Sequence, residues 1–325
     1  QPNKPFGHLT SLLDPPTPSQ APGPNVKPWE GTLDSYTIQT PAQPMQLTAE
    51  PLRHLMEPSL IQSCVRKLSN GTTPGPDHIH NELLKALPST WITTIHHLFE
   101  LMWATGYTPT CFRHSHTIFL FKKGEHTNPS NYRPLGLNNT LSKLWTSLVT
   151  RVLSTYSELN HILSDAQEGF RPNRNPHNHI LNLTHDIQDA ALHHQDLYAA
   201  YFDFSNAFNM IRHDHLATIM QDLGYTADMH MVQTVRGIYT NATTSTLHKG
   251  HCGPPIHIGR GTIQGDSLSP LLFIIYTEPL HRWLKAGGRG YKQKCLSPTL
   301  QDTHNTSSLG YADDTCTLTG TLADL

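Results

Sequence analysis

The sequence contains few charged residues and has no excess of basic ones. Only 15% of its 325 residues are charged, and 23 Lys and Arg against 25 Asp and Glu give a formal net charge of −2. Proteins that bind nucleic acid over most of their surface usually carry a basic excess, so the overall charge gives no support to that class. The sequence also lacks an apolar run of about 18 residues or more, which excludes a membrane-spanning helix.

Cysteine is scarce as well. The chain has five cysteines, an odd number, and no Cys-x-x-Cys pair. A disulfide framework is therefore not expected, and a reducing, intracellular setting is the default interpretation. Cys111, His114 and His116 have a spacing that zinc could use. No second ligand pair stands nearby, so we interpret these three as scattered structural residues.

Proline and charge are unevenly distributed. Twelve of the 25 prolines fall within residues 1–58, which is too dense for a helix or a central strand. We therefore interpret residues 1–58 as a Pro-rich linker or disordered tail, and residues 59–325 as the folded domain. Between Cys111 and Arg174, eight Lys and Arg outnumber four Asp and Glu, so a local basic region exists despite the overall balance.

Apolar residues recur at helical spacing along the folded part, and a strand candidate lies among them. This alternation predicts a mixed α and β class. The expected strand is 116–121, and the expected helices are 59–68, 81–87, 91–104, 141–157, 178–194, 213–223 and 269–284.

The first motif with chemical potential is a strand that ends in one carboxylate. An aromatic and small-residue run over 197–204 contains Asp203, and the chain then turns towards a helix at about His213. Taken alone, this aspartate has a simple structural interpretation, because an acidic residue at a strand end can cap the following helix or turn.

The second motif is Gly310-Tyr-Ala-Asp-Asp-Thr315, which predicts a β-hairpin with Asp313 and Asp314 at its turn. Adjacent aspartates repel each other when ionised, and in most turns water alone screens them. If the fold brings them beside Asp203, the three carboxylates form a hard-oxygen site suited to two Mg²⁺ ions.

The third motif joins Gln264-Gly265 to Ser269-Pro270. The glycine permits the backbone to approach a ligand closely. The serine and proline predict an N-cap and the first turn of an apolar helix. Without other motifs, this segment would be only a well-capped helix.

The fourth motif is basic. Lys122 and Lys123 follow the predicted strand, and Arg133 stands on a loop stiffened by proline. Such groups could converge on phosphates, because a guanidinium binds phosphate oxygens bidentately. The alternative is an exposed basic loop.

Six strings occur in one order and together resemble the reverse transcriptase family, specifically the polymerase of non-LTR (LINE-type) retrotransposons. The acidic hairpin alone is a weak match, whereas the ordered set is specific and covers about residues 59–320. The strings are Thr73-Pro-Gly-Pro-Asp77, Asn131-Tyr-Arg-Pro-Leu135, Gln167-Glu-Gly-Phe-Arg-Pro172, Phe202-Asp-Phe-Ser-Asn-Ala-Phe208, Gln264-Gly-Asp-Ser-Leu-Ser-Pro270 and Tyr311-Ala-Asp-Asp314.

The resemblance implies a fold and a reaction. The fold would be an α+β right-hand polymerase fold with fingers and palm subdomains and an antiparallel palm sheet. The chain ends 11 residues after Asp314, where the family's helical thumb would follow, so we expect the thumb to be absent. The reaction would be nucleotidyl transfer from a dNTP to a primer 3′-hydroxyl, with an RNA template, a DNA primer and dNTPs as partners and no membrane. The setting would be a nuclear or cytoplasmic ribonucleoprotein.

The resemblance also implies the roles of acidic residues. Asp203, Asp313 and Asp314 would be the catalytic carboxylates and the ligands of two Mg²⁺ ions, for which Mn²⁺ could substitute. Asp203 and Asp313 would hold the metal most directly. Asn209 stands where the family commonly has an acidic residue, but that position is not a metal ligand.

Further residues would contact the nucleotide by the same resemblance. Arg133, with Lys122 or Lys123, would bind the triphosphate. Phe208 would exclude a 2′-hydroxyl, so that deoxynucleotides are preferred. Gln264 and Gly265 would pack near the nucleotide and the template.

Two alternatives stay open. One is a related polymerase, such as a group II intron-type maturase reverse transcriptase. The other is a decayed, non-catalytic remnant that at most binds RNA. Retention of all three carboxylates argues against long decay of the active centre.

Overall fold

The computed structural model describes residues 57–204, 206–226, 229–294 and 305–325. The tail predicted over 1–58 lies outside these residues except for its last two positions, and Pro58 already begins the first helix. The described chain forms two compact units. Unit one contains residues 57–160 and 208–269, and unit two contains residues 161–207 and 270–325.

Eight α-helices occur in the described ranges. Each predicted helix is confirmed to within two residues at either end, whereas α7 was not predicted. The helices are α1 (Pro58–Lys67), α2 (Asn81–Ala86), α3 (Ser89–Thr105), α4 (Thr140–Leu159), α5 (Pro176–Leu192), α6 (His213–Asp222), α7 (Met229–Tyr239) and α8 (Leu268–Ala286). No helix in the described part of the chain is long and apolar enough to cross a membrane.

The strands confirm that the chain mixes helices with sheets. They are β1 (His114–Phe121), β2 (Tyr132–Asn138), β3 (Tyr198–Asp203), β4 (Thr243–His248), β5 (His251–His257), β6 (Tyr291–Lys292), β7 (Asn305–Thr306), β8 (Ser308–Tyr311) and β9 (Asp314–Thr319). Unit one holds a four-stranded sheet in the order β2-β1-β4-β5, in which β1 and β4 run parallel. Unit two holds an antiparallel three-stranded sheet in the order β3-β9-β8 and the short pair β6-β7.

The core of unit one is built largely on α4, whose apolar residues recur at helical spacing and are mostly buried. Trp145 packs against Phe99 of α3 with ring centroids 5.1 Å apart, and Tyr156 packs against Tyr225 at 5.5 Å. The Tyr156 hydroxyl donates to the carbonyl oxygen of Gly224 at 2.8 Å, so this buried phenol keeps a partner. These large buried rings supply much of the apolar area that holds the helices together.

The start of α4 is fixed by the loop that contains Thr73-Pro-Gly-Pro-Asp77. The backbone N–H of Thr140 donates to Asp77 Oδ2 at 2.9 Å, and the N–H of Asp77 donates to Asn139 Oδ1 at 2.9 Å. Asp77 therefore caps α4 from 63 residues away, because the adjacent Asn139 makes no side-chain cap bond. Gly75 fits only without a side chain, since its Cβ would overlap the backbone of Asn138.

Unit two has a small core of its own beneath the three-stranded sheet. Its buried members come from the sheet strands, from α5 and from β6, and they are Ala190, Tyr291, Leu309, Cys316 and Leu318. The partly buried Leu183 and Leu197 pack against them. Alternate residues of the β8–β9 hairpin are thus held against an apolar layer, which fixes the register of the strands.

The contact at Gly75 gives a test of the fold. Gly75→Ala should lower the free energy of unfolding by about 1–3 kcal/mol, because the added methyl must displace the backbone at the start of α4. Urea unfolding measures this change. Gly320→Ala is the matched control, since a Cβ there meets no atom within 4 Å. Equal stability of the two variants would contradict the proposed packing.

Candidate active site

The sheet of unit two brings two of the predicted carboxylates face to face. Asp203, the last residue of β3, is the direct cross-strand partner of Asp314, the first residue of β9. Both side chains are exposed. Directly opposed residues of an antiparallel pair share one face of the sheet with Cβ atoms about 4.5–5.5 Å apart. The N-cap of α6 is Arg212, nine residues after Asp203.

The predicted hairpin is confirmed, with one correction to its turn. Tyr311 pairs with Asp314, so the two-residue turn consists of Ala312 and Asp313, and Asp314 already belongs to the strand. Ala312 is left-handed with φ 59°, a conformation that costs about 1–2 kcal/mol for a residue with a Cβ. Asp313 is half-buried at this turn. The register of the sheet therefore brings Asp203, Asp313 and Asp314 to one end of it.

The three carboxylates do not form a tight single-ion cluster. Among the described residues, the only group of three ligand atoms within 4.8 Å of one another is His96, His97 and Glu100 on α3. The predicted acidic trio does not meet that limit as a set. In a site for two ions about 3.5–4 Å apart, the ligand atoms lie farther from one another than in a site for one ion. The separation of the three carboxylates is therefore compatible with a two-metal site.

One buried amide supports the strained turn. Gln167 is 0% exposed, and its Oε1 accepts hydrogen bonds from the N–H groups of Ala312 at 2.9 Å and Gly169 at 2.8 Å. Its Nε2 donates to the carbonyl oxygen of Ala312 at 3.2 Å. No local pattern in the sequence predicts this role of Gln167. The available signal is its place at the start of one of the six strings.

The backbone around Gln167 adds a parallel bridge to β8. Gln167 pairs with Gly310, the N–H of Gly310 donates to Ala166 at 2.6 Å, and the N–H of Glu168 donates to Gly310 at 2.9 Å. Gly169 must be glycine, because a Cβ there would overlap the backbone nitrogen of Ala312. The segment 166–169 thus lies directly along the hairpin.

Glu168 anchors this segment to the start of α5. Its side chain, only 4% exposed, accepts from Arg174 Nη1 at 3.0 Å, from the N–H of Asn175 at 3.2 Å and from Asn178 Nδ2 at 3.0 Å. These three donors satisfy the buried carboxyl group, which would otherwise be costly to bury. Glu168 therefore holds the loop before α5 in one conformation.

A second buried acid anchors the same segment to α8. Glu278 accepts from the N–H of Ser164 at 3.0 Å, from the Ser164 hydroxyl at 3.2 Å and from Arg282 Nε at 3.0 Å. Burial raises the pKa of Glu278, and the charge and hydrogen bond of Arg282 act against that rise. The two ends of the segment are thus fixed by different helices.

Behind the hairpin lies a buried histidine. His281 Nδ1 contacts Ser308 Oγ at 3.0 Å, and a Cβ on Gly310 would come within 2.8 Å of its ring. Burial, with a further contribution from the charge of His179, lowers the pKa of His281 to about 4. The ring is therefore neutral at physiological pH and acts as a packing group.

The predicted basic residues lie together on unit one. β1 ends at Phe121, so Lys122 and Lys123 follow it directly, and β2 pairs Arg133 with Leu120. All three basic side chains are exposed. The hairpin of β1 and β2 therefore carries them on one connected piece of structure.

The Gln264-Gly265 loop packs against the same hairpin. The N–H of Gly136 donates to the carbonyl oxygen of Gln264 at 2.8 Å. Gly265 has φ 102°, and a Cβ there would lie 2.7 Å from Leu135 Cδ1. Leu135 stands two residues after Arg133 on β2, so these two side chains share a face of the strand. Gly265 thus lies close to β2, and its predicted approach to a ligand stays a prediction.

Phe208 is joined to the segment that precedes this loop. Its carbonyl oxygen accepts from the N–H of Thr262 at 2.9 Å, and Gly261 packs on the backbone of Asn209. The Phe208 side chain is half-buried. Unit one thus brings Arg133, Phe208 and the Gln264-Gly265 loop into one connected network.

The predicted helix cap at Ser269 is wrong. α8 begins one residue earlier, at Leu268, and the Ser269 hydroxyl donates to the carbonyl oxygen of Ile263 at 2.8 Å. Asp266 Oδ1 accepts from the N–H of Leu268 at 3.5 Å and from Thr146 Oγ1 at 2.6 Å. Burial raises the pKa of Asp266 to about 6. Asp266, two residues before the helix, therefore accepts from its first N–H group in place of Ser269.

The cysteine and histidines considered for zinc do not converge. His114 Nδ1 contacts Thr243 Oγ1 at 2.8 Å, whereas His116 Nε2 lies 3.5 Å from Cys252 Sγ. The four described cysteines, Cys64, Cys111, Cys252 and Cys316, are all free thiols. Among the described residues, no potential metal-binding group includes Cys111, His114 or His116.

The family of the chain follows from its similarity to known proteins. A family described as reverse transcriptase (RNA-dependent DNA polymerase) matches residues 121–325, more than half of the chain. The chain belongs to the reverse transcriptase family. This match contains five of the six strings, including both strands of the acidic hairpin.

Curated relatives of this reverse transcriptase domain carry retrotransposon names. The probable RNA-directed DNA polymerase from transposon BS of Drosophila melanogaster is 27% identical over 78% of this chain and 27% of that protein. The Pol polyprotein of the R2DM element of the same species is 26% identical over 67% of this chain and 20% of its own length. The RNA-directed DNA polymerase of the mobile element jockey from Drosophila funebris is 24% identical over 74% of this chain and 26% of its own length.

These relatives confirm the predicted resemblance to the reverse transcriptase domain of non-LTR retrotransposons. The chain spans only 20–27% of the length of the three curated relatives it matches. The resemblance therefore concerns the polymerase domain of much longer proteins.

The buried acid of unit one gives a pH prediction for this reverse transcriptase domain. The pKa of Asp266 is raised in the fold, so its contribution to stability is present at low pH and is lost as the pH rises from about 4 to 6. Asp266→Asn should remove that loss. Between pH 4.5 and 7, the stability of the variant relative to wild type should rise by about 2 kcal/mol.

Urea unfolding of both proteins at the two pH values measures this difference. Glu125→Gln, at an exposed position, controls for the loss of one carboxyl group. A constant difference between Asp266→Asn and wild type at pH 4.5 and 7 would argue against the raised pKa.

Proposed function

We propose that this domain is an RNA-directed DNA polymerase that transfers a nucleotidyl group from a dNTP to a primer 3′-hydroxyl, copying an RNA template. One observation carries the proposal. Asp203 and Asp314 oppose each other across the β3–β9 ladder, and Asp313 stands in the adjoining turn. The family membership supplies the reaction class.

The electrostatics of this arrangement favour a bound cation. Two like charges directly opposite on a sheet destabilise it, and a third carboxylate adds to the repulsion. None of the ion pairs between described residues involves Asp203, Asp313 or Asp314. A divalent cation would offset the repulsion, and oxygen-only donors fit Mg²⁺, with Mn²⁺ as a substitute.

Asp203 and Asp313 would hold two Mg²⁺ most directly, with Asp314 as the weaker ligand. Bound Mg²⁺ would lower the pKa of the primer 3′-hydroxyl and neutralise charge on the triphosphate and the leaving pyrophosphate. The role of the three carboxylates is then to position charge, because the reaction needs no covalent intermediate on the protein.

Arg133, with Lys122 or Lys123, would bind the triphosphate. Support comes from their exposure and from their common hairpin. Arg133 is favoured, because its planar fork can bind two phosphate oxygens at once. The local basic excess between Cys111 and Arg174 gives the same region an attraction for the nucleic-acid backbone.

Phe208, Gln264 and Gly265 would shape the pocket for the base and sugar. A ring without a hydroxyl group leaves a ribose 2′-OH without space or partner, which would favour deoxynucleotides. The open backbone at Gly265 would let the loop lie close to the nucleotide. Support comes from the connection of these residues to β2 through Gly136 and Leu135.

We further propose that residues 59–325 comprise fingers and palm elements of a right-hand polymerase fold. The three-stranded antiparallel sheet with Asp203, Asp313 and Asp314 would belong to the palm. The β1–β2 hairpin with its basic residues would belong to the fingers. A nuclear or cytoplasmic ribonucleoprotein would be the setting, on the basis of family membership.

Loss of one carboxylate tests the reaction. Asp313→Asn should reduce dNTP incorporation by about 100-fold or more, because it removes a charge on which the positioning of the metal depends. The measurement is extension of a labelled DNA primer on an RNA template with the full chain and Mg²⁺. Asp196→Asn, at an exposed position of the same unit, is the matched control and should retain activity.

Other outcomes would change the proposal. Full activity of Asp313→Asn would remove the assigned catalytic role. If the wild-type chain binds the RNA–DNA hybrid by fluorescence anisotropy but incorporates nothing at high protein concentration, a non-catalytic RNA-binding remnant becomes the better description.

Sugar selection gives a separate test. Phe208→Ala should raise the use of a ribonucleotide relative to its deoxynucleotide by about tenfold or more, because the space for a 2′-hydroxyl opens. The ratio of kcat/KM for dGTP and GTP on one template measures this change, and it does not depend on the fraction of active protein. An unchanged ratio would contradict the role given to Phe208.

A further inference from the structure

The turn that carries Asp313 depends on contacts from outside the hairpin. Ala312 must keep a left-handed conformation with φ 59°, although it is not glycine. Its two flanking peptide planes therefore need to be held in place. A change in either plane would redirect Asp313, the next residue.

A single side chain holds both planes. The N–H of Ala312 belongs to the peptide plane before it, and this group donates to Gln167 Oε1 at 2.9 Å. The carbonyl oxygen of Ala312 belongs to the plane shared with Asp313, and it accepts from Gln167 Nε2 at 3.2 Å. One amide thus fixes both torsion angles of Ala312.

The orientation of that amide is itself determined. Oε1 accepts a second hydrogen bond, from the N–H of Gly169 at 2.8 Å, so two donors converge on one oxygen and the amide cannot turn over without losing both. Gln167 is 0% exposed, so water cannot replace these bonds.

The segment that bears Gln167 is firmly attached. Arg171 Nη1 donates to the carbonyl oxygens of Gln167 at 2.9 Å and Ser164 at 2.6 Å. Glu278 binds Ser164 from α8, and Glu168 binds the start of α5. Gln167 is therefore held by a rigid support while it contacts the turn.

We propose that Gln167 is a positioning residue for Asp313, which sets the direction of this carboxylate by clamping both peptide planes of Ala312. Gln167 touches neither substrate nor metal in this role and acts through the turn. The inference rests on the proposed function, because positioning matters only if Asp313 binds the metal.

The test replaces Gln167 with methionine, which has a similar length but leaves the N–H groups of Ala312 and Gly169 without a partner. Loss of an outer partner of a metal ligand typically costs about 10–100-fold in metal affinity or activity. We expect Gln167→Met to bind Mn²⁺ about tenfold or more weakly. Electron paramagnetic resonance titration of the full chain with Mn²⁺ alone measures this affinity.

Kinetics give the second readout. In primer extension, Gln167→Met should lower kcat at saturating Mg²⁺ by about tenfold or more and raise the Mg²⁺ concentration needed for half-maximal rate. The KM for dNTP should change little. A purely structural role would lower the fraction of folded protein and leave the Mg²⁺ dependence of the remaining activity unchanged.

A matched control separates stability from positioning. Tyr291→Phe removes a buried hydrogen bond of the same unit, from the Tyr291 hydroxyl to Asp189 Oδ2 at 2.7 Å, without touching the turn. It should leave Mn²⁺ affinity and kcat unchanged, even if its melting temperature falls.

A second variant covers the case in which Gln167→Met does not fold. Gln167→Asn keeps an amide but is one methylene group shorter, so it cannot bind both peptide planes of Ala312 from the same backbone position. We expect it to fold and to have a lowered kcat. An unchanged kcat in folded Gln167→Asn would overturn the proposal.

The outcomes distinguish the two proposals. If wild type and Gln167→Met bind Mn²⁺ equally well, the positioning role of Gln167 is overturned and the proposed function is not. Wild-type chain that binds no Mn²⁺ would overturn both proposals. Weaker Mn²⁺ binding in Gln167→Met, with an unaffected Tyr291→Phe control, would support both.

Discussion

Repulsion between carboxylates at one end of a small sheet is the constraint on which the rest of unit two depends. The register of β3 and β9 places Asp203 directly opposite Asp314, and the hairpin adds Asp313 in the turn. Such a grouping opposes folding unless other contacts enforce it. Buried apolar residues beneath the strands provide part of that enforcement, and the hydrogen bonds of the Gln167 segment provide the rest.

The support of the hairpin is polar and almost entirely buried. The side chain of Gln167 binds three backbone groups, and those of Glu168 and Glu278 each accept from one backbone N–H and two side chains. Burying a polar group without a hydrogen-bond partner raises the free energy of the fold, so such groups favour the one conformation in which every partner is present. A domain that must hold carboxylates in a fixed geometry benefits from that property, because small displacements of a catalytic group reduce rates strongly.

Much of the architecture was predictable, because local patterns were strong. The periodicity of α4 and the strand before Asp203 gave correct elements, and six ordered strings gave the family. One error and one unpredicted contact concern helix starts. Ser269 was predicted to cap α8, but Asp266 accepts from the N–H of Leu268 and the Ser269 hydroxyl donates to the carbonyl oxygen of Ile263. Asp77 caps α4 across 63 residues, which no local pattern reveals.

The sequence by itself determined the family, the positions of seven of the eight described helices and the identity of the acidic residues, because these depend on local composition and on the order of motifs. Only the tertiary structure decided that Asp203 opposes Asp314, that Asp314 lies in a strand and not in the turn, and that Gln167 holds Ala312. Those facts depend on strand register and on contacts between residues 110 or more positions apart, which are set by packing.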